Sequence, residues 1–597
     1  MLGAALAAAA VGLAGGALES VTVALTHGYY FHTVRSFATF VLVPGGLYAA
    51  AGLALGALVG WLLTIIRRSH SPVPVVTGAA AFVVVAVVVA ATIEDAELPR
   101  RSAVAWGASG LGGAIIAGGL AWLVVHRDRR LIRFVTVLVL GAGLLATATG
   151  AWLFGPGGSG ATPYEIYLVD SPRSVLLVTI DTLRADRVGC YTSGRSPLTP
   201  TLDALAREGA VFENAIVPMV VTDPSHASIL TGLYPAEHGV VRNAVPLDPG
   251  VVTVAELFLA AGFRTGASVS VEHMDAHPSG LSQGFEVYFD RGPHDRFRYH
   301  AGWKMMPRPR KNRLFAHERP ATSANRDAFR FLDAVGDEPF FLWVHYFEPH
   351  TPYVGRDGTI FDEEARALLE TEAAAGKAGE RAGEVSRLYD DEVRRADEAL
   401  GELLAGLEER GLSDSTLILV TSDHGEHMAE ERLGHGLWFG HSDVYDEACR
   451  VPLVVRPAGG IPPQVIPEQV STMDVAEGLL EGAGVMVDWP PGSLEGDGTG
   501  LTVEPVVVLP NPHMPIEGTA LRSGRWKLIV RPGGVRELYD LVSDPNEISN
   551  IVAISAVLAD SLERALTGIV SEWTPRETPD APDALTREML RSLGYVD

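Results

Sequence analysis

The chain is 597 residues long, 47% hydrophobic, and carries a formal net charge of −25. That length exceeds one simple domain and permits a large buried core. A surface this acidic repels polyanions and excludes a nucleic-acid-wrapping role, while two cysteines, Cys190 and Cys449, supply neither a CxxC pair nor a disulfide framework.

Apolar residues crowd the region before residue 154. Five stretches, at about 3–25, 38–66, 75–93, 103–125 and 132–154, are each long enough to cross a bilayer as a helix. The second must tilt or extend beyond the hydrocarbon. The first contains Glu19 and has no Lys or Arg before it, so it reads as a retained helix and not a cleaved signal peptide. Arg67 and Arg68, with Arg127, Arg129, Arg130 and Arg133, fall in loops on one side and outweigh Arg35, Arg100 and Arg101 on the other. The more basic side is cytoplasmic. The expectation is a multi-pass protein of the inner (cytoplasmic) membrane, with residues 1–154 as the helical region. Everything after them faces the periplasm or cell exterior. The helices read as an anchor, with a hold on a lipid-linked substrate as the alternative.

Residues 155–170, opening GPGGSGATP, have the Gly and Pro content of a linker. Beyond them strands and helices alternate. Ser174–Ile180 (SVLLVTI), Phe340–Tyr346 (FFLWVHY) and Thr416–Ser422 (TLILVTS) are continuous apolar runs suited to strands covered on both faces. Helices are expected around Thr201–Gly209, Thr253–Ala261, Thr322–Val335 and Glu384–Arg410. The fold class is therefore α/β, a sandwich with a central, mostly parallel sheet over residues 171–500. Residues 501–597, with short strands and a helix near 552–574, form a smaller C-terminal subdomain. The segment Lys304–Arg319 is basic within this acidic half; it reads as an exposed loop, or as a guide for an anionic substrate or the membrane surface.

Two of the apolar runs end in acid: Asp181 after SVLLVTI, and Asp423-His424 after TLILVTS. Ligands gather at the carboxyl ends of strands in open parallel sheets, and two carboxylates with an imidazole there can hold a divalent cation. A single strand-end Asp is more often a helix cap; the pair strengthens the metal reading. A third element is Thr222-Asp223-Pro224-Ser225-His226. Pro224 suits a first helical turn, which puts Thr222 just before a helix N-terminus, where N–H groups attract an anion. A hydroxyl held there beside a metal can attack phosphorus or sulfur; a plain helix cap is the competing reading.

In collinear order the chain carries VLLVTIDTLRADRVGCY, TPTLDALAREGAVFENA, TDPSHASILTGLYPAEHGVVRN, FFLWVHYFEPHTPY, TLILVTSDHGE, YDEACRVPLVV, RSGRWKLI, ELYDLVSDPNE and LRSLGYV. Over roughly residues 171–597 it resembles the sulfatase family of the alkaline phosphatase superfamily. The resemblance implies Asp181, Asp423 and His424 as metal ligands, Thr222 as ligand and nucleophile, and Asn243 on a substrate oxygen. His226, His350 and His441 are candidate catalytic residues, and His345, Glu348 and His435 are candidates for a second metal or the substrate.

The chain departs from the family at three places. Sulfatases carry Cys or Ser at the first position of C/S-x-P-S-R, oxidised to formylglycine; here it is Thr222, and the Arg is His226. Oxidised threonine would be a ketone, which argues for direct attack by the hydroxyl. In this it is similar to nucleotide pyrophosphatases, phosphoethanolamine transferases and lipoteichoic acid synthases. Thr182 replaces a usual Asp ligand, and His424 stands where many sulfatases have Asn. Imidazole suits zinc or manganese better than calcium or magnesium. The expected function is a membrane-bound, metal-dependent hydrolase or transferase of phosphodiester or phosphonate esters. The expected substrate is an anionic ester, lipid- or glycan-linked, and no nucleic acid is involved. Alternatives are a sulfuric ester hydrolase acting on sulfated glycans or small sulfate esters, and a catalytically silent binding protein of the same fold.

Overall fold

In a computed structural model, the described residues are 164, 166–168, 173–192, 198–290, 319–361, 365, 369, 379–428, 440–441, 443–487, 506–509 and 518–576. The five apolar stretches, all but Arg319 of the basic segment, and His435 lie outside them. Among the described residues no helix is long and apolar enough to cross a membrane.

The central sheet has nine strands: β1 Ser174–Ile180, β2 Ala210–Ile216, β3 Arg264–Ser268, β4 Val287–Phe289, β5 Phe340–Tyr346, β6 Thr416–Thr421, β7 Arg450–Val451, β8 Leu453–Arg456 and β9 Gln464–Ser471. Strands β6, β1, β5, β3 and β4 run parallel in that spatial order. Beyond β6 the hand changes. β8 is antiparallel to both β6 and β2, and β9 pairs parallel with the other edge of β2. The sheet is therefore mixed but mostly parallel, as expected from sequence: only β7 and β8 run against the other strands. The apolar runs flagged only its central strands. Pro452 separates β7 from β8, because proline has no N–H for the ladder.

Each central strand is buried on both faces, and alternate residues enter different cores. Val175 and Leu177 of β1, Phe341 and Trp343 of β5, and Leu417 and Leu419 of β6 join one cluster. Leu176, Val178, Leu342, Val344, Ile418 and Val420 join the other. The period of two along a strand produces this division. Helices α1 (Pro200–Ala206), α2 (Thr222–Thr231), α3 (Val254–Ala260), α4 (Ala321–Val335), α5 (Gly379–Glu409) and α6 (Val475–Ala483) supply the covering layers. α2, α3 and α6 line the first core; α1, α4 and α5 line the second. Thr253 begins α3 with a capping box, its side chain accepting the Glu256 N–H while Glu256 reaches back.

Ile166–Leu168, within the stretch expected as linker, pairs antiparallel with Val485–Val487. At the other end, β10 (Val506–Val508), β11 (Thr519–Ser523), β12 (Trp526–Arg531) and β13 (Val535–Asp540) form an antiparallel sheet, covered by α7 (Ala556–Glu572). All described residues fall in one compact unit.

A buried charge joins the small sheet to the catalytic part. Lys527 on β12 is fully buried, with Nζ 2.7 Å from Asp446 and 2.9 Å from Glu547. Arg522 reaches the same Asp446 carboxylate at 3.2 Å. Removing one partner of such a cluster strands a buried charge, costing about 3–5 kcal/mol. Lys527→Met is expected to lower the urea midpoint of the full chain by a corresponding amount with an unchanged denaturant slope.

Candidate metal centre

Strand register brings the acidic residues together. Thr179 of β1 pairs with Thr421 of β6, so the two strands finish level and their next residues converge. Asp181, Asp423 and His424 are fully buried, and one ligand atom of each lies within 4.8 Å of the others. Asp423 Oδ1 accepts the backbone N–H groups of His424 (2.8 Å) and Thr182 (3.2 Å). Its Oδ2, and both oxygens of Asp181, have no hydrogen-bond partner. Three carboxylate oxygens sealed from water without donors are costly unless a cation meets them. Burial, then the negative charges of Asp423, Glu426 and Asp223, push Asp181 well above the usual carboxylate range.

His424 completes the donor set. Its Nδ1 lies 3.0 Å from the Gly425 carbonyl, which can only accept, so Nδ1 carries the proton and Nε2 presents a lone pair. That Nε2 is 3.4 Å from Asp423 Oδ2 and 3.4 Å from Thr222 Oγ1. Two carboxylates, an imidazole and a hydroxyl form a set that fits a divalent cation. Gly425 is required beside them, because a Cβ there would collide with the Glu447 carbonyl. Thr182 holds a left-handed backbone (φ 54°), an unfavourable state for a β-branched residue. Its N–H reaches Asp423 from that conformation, so strain is stored where the two strand ends meet.

Thr222 is the first residue of α2, one position further into the helix than its sequence suggests. Ser225 Oγ donates to the Asp423 carbonyl at 2.7 Å, tying this first turn to the metal-ligand loop. His226 is fully engaged. Its Nδ1 donates to the Thr222 carbonyl at 2.8 Å, and its Nε2 lies 3.0 Å from Thr179 Oγ1, which accepts the Trp343 indole N–H at 3.0 Å. His226 thus holds the first turn of α2 against β1 and β5, a positioning role. Burial lowers its pKa and keeps it neutral.

Asn243 Oδ1 accepts the Asp223 N–H at 2.8 Å, while its Nδ2 is buried without a partner. His345 Nδ1 accepts the Ser270 N–H at 3.4 Å, leaving Nε2 to carry the proton 3.6 Å from Asp181 Oδ2. His441 packs its ring 4.3 Å from that of His424 and 5.7 Å from that of His350, with Nδ1 3.4 Å from Glu426. His350 donates Nδ1–H to the Thr351 carbonyl at 2.7 Å, and burial lowers its pKa to about 3. Glu348 is turned elsewhere: both oxygens sit 3.2 Å from the Ala321 N–H, at the start of α4.

Sequence reading missed Asp223 and His273, both fully buried. Asp223 Oδ1 is 2.6 Å from His273 Nδ1, and its Oδ2 accepts the Ala244 N–H at 2.6 Å. His273 sits in the short 3-10 turn Glu272–Met274 beyond β3, not at the strand end, so the strand-end signal that marks Asp181 does not reach it.

Comparison with known proteins agrees with this geometry. The sulfatase family model matches residues 173–485, more than half of the chain. A multifunctional alkaline phosphatase superfamily protein, PehA of Trinickia caryophylli, is 27% identical over 359 residues, covering 48% of this chain and 68% of its own. The choline-sulfatase of Rhizobium meliloti is 27% identical over 438 residues, covering 63% and 82%. The phosphonate monoester hydrolase of Agrobacterium radiobacter superposes with a TM-score of 0.51 at 20% identity, covering 67% of this chain and 96% of its own, which establishes a shared fold. Level strand ends, a sealed carboxylate pair and the matched family segment lead to one conclusion: the chain belongs to the sulfatase family, divalent-metal hydrolases of sulfuric or phosphoric esters.

Proposed function

We propose that this protein is a membrane-anchored phosphoesterase or phosphotransferase that uses Thr222 as nucleophile on a phosphodiester or phosphonate ester outside the cytoplasm. One observation carries the reading. An unmodified hydroxyl opens α2 at 3.4 Å from the free nitrogen of His424, where no aldehyde-forming residue stands. The membrane placement rests on the five apolar stretches and the arginine asymmetry of residues 1–154.

Asp181, Asp423 and His424, with Thr222 alongside, would hold a divalent ion, zinc or manganese by donor type. Bound there, it would lower the hydroxyl's pKa and offset charge gathering on the transferred group. The protein's own groups do the rest. The α2 N-terminus and Asn243 Nδ2 face an anion with donors. Thr222 Oγ1 forms a bond to phosphorus as the ester oxygen departs, and His441 beside Glu426 is placed to protonate that oxygen. His350 keeps Nε2 as an acceptor, because Nδ1 is committed to the Thr351 carbonyl. It is suited to take the proton of the water or acceptor hydroxyl that releases the phosphothreonine.

A sulfuric ester, including one on a glycan, is the second reading, supported by the naming of relatives such as the choline-sulfatase and an ulvan-active sulfatase of Formosa agariphila. Full-length protein in detergent should hydrolyse bis-nitrophenyl phosphate or a nitrophenyl phosphonate, lose that activity with chelator and regain it with zinc or manganese. Turnover of nitrophenyl sulfate alone would select the second reading. A broad panel without chelator-sensitive turnover would leave a silent binding protein.

Thr222→Ala should lower kcat by about 1,000-fold or more with the thermal midpoint nearly unchanged, whereas Thr222→Ser retains measurable turnover. Intact-mass analysis of rapidly quenched wild-type enzyme should find one phosphoryl adduct, mapped to the Thr222 peptide. An adduct on another residue would remove Thr222 from the role.

A further inference from the structure

The loop pinned to Asp223, in the first turn of α2, presents the opposite deficit to the unpartnered acceptors of Asp181 and Asp423. Arg242 and Asn243 are consecutive, and each buries a donor with no acceptor: Arg242 Nε and Asn243 Nδ2. Both are buried atoms, although Arg242 as a residue is only half-buried and Asn243 almost wholly so. The segment is pinned to the nucleophile's turn from both sides. Asn243 Oδ1 takes the Asp223 N–H at 2.8 Å, and the Ala244 N–H goes to Asp223 Oδ2 at 2.6 Å. Arg242 is therefore fixed one residue from a donor beside Thr222.

Arg242 also lacks the counter-charge that most described arginines have. In a chain with 72 acidic and 47 basic residues, most described arginines sit against a carboxylate: Arg184 on Asp186, Arg319 on Asp327, Arg456 on Glu208, Arg531 on Asp443. Among the described residues no ion pair joins Arg242. Burial alone pushes its guanidinium below the ordinary value, and no acidic neighbour offsets it. A guanidinium kept partly desolvated without an acceptor is costly and calls for an anion from outside the chain.

We infer that Arg242 is the specificity-determining residue of this site, recognising a second anionic group on the substrate: a carboxylate, sulfate or phosphate borne next to the scissile ester. This rests on the phospho- or sulfo-ester reading of the site and narrows it to substrates with two negative groups. Such groups occur on acidic glycans and on anionic lipid headgroups alike. The guanidinium fork suits any of these planar or tetrahedral anions, and charge-assisted hydrogen bonds make the contact strong.

The test is binding of matched, non-hydrolysable probes to the full-length, metal-loaded protein in detergent, followed by calorimetry. One pair is phosphonoacetate against ethylphosphonate; the other is sulfoacetate against ethanesulfonate. Wild type should favour the carboxylate-bearing member of at least one pair by about 10-fold or more. Which pair shows it indicates whether phosphorus or sulfur occupies the reacting position. Arg242→Ala should collapse that ratio toward one, and Arg242→Lys should keep part of it, because the charge remains while the fork is lost. A ratio that survives Arg242→Ala, or a wild type without preference, overturns the inference. Failure of all four probes would overturn the ester-site reading as well, whereas equal binding within each pair would remove only the role of Arg242. If Arg242→Ala lowers the thermal midpoint, Arg242→Gln, which keeps length and a donor without charge, carries the same comparison.

Discussion

Two aspartates at the ends of adjacent parallel strands hold three carboxylate oxygens out of water with no donor to meet them. The effective penalty for burying an ion is several kcal/mol, against a total folding stability of about 5–15 kcal/mol for a domain. The sheet can impose this because both faces of β1, β5 and β6 are sealed by large apolar clusters, and the register between β1 and β6 leaves the strand ends no freedom to splay. The site is thus built by the core. Cation binding there couples to stability as well as to chemistry, and each nearby device, from Gly425 to the left-handed Thr182, serves to bring polar groups closer than a relaxed backbone would allow.

The parts of this architecture visible in the amino-acid sequence are those governed by one strong local signal. β1, β5 and β6 are unbroken apolar runs, and the long helices have clear periodicity; each lies within a few residues of its expected bounds. β2 (AVFENAI), β3 (RTGAS) and β9 (QVIPEQVS) mix charge, glycine and proline, because they sit toward the sheet's edges or have one face partly wet. Their pairing is decided by neighbours far away in the chain, which no window of sequence contains. The two antiparallel strands β7 and β8 were hidden for that reason, and so was His273, whose partner Asp223 comes from a distant element.

The site divides along the same line. Asp181, Asp423, His424 and Thr222 were legible because strand ends and a helix start are local features. His226 was not legible as a positioning residue, because its partners Thr179 and Trp343 come from two other strands. Glu348 looked like a ligand from its place beside His345 and His350, yet the α4 N-terminus claims both of its oxygens. A residue's type and spacing propose a role; which hydrogen bonds compete for its oxygens is a tertiary fact.

On the proposed reading, the single hydroxyl of Thr222 constrains how a turnover can finish. An aldehyde hydrate carries two hydroxyls on one carbon, so after one is esterified the other can expel the ester by re-forming the carbonyl. The β-carbon of threonine bears one hydroxyl, a hydrogen and a methyl group, and no such exit exists. The covalent intermediate must be broken by a second attack at the transferred centre, from an oxygen admitted to the same pocket. That requirement explains why imidazoles such as His350 belong around the site, since the incoming oxygen must surrender a proton. It also leaves the outcome to whichever nucleophile reaches the pocket first, water or a hydroxyl of another molecule. Hydrolysis and transfer then differ only in what the entrance admits, and a chain held at a membrane surface would meet acceptors that a freely diffusing enzyme would not.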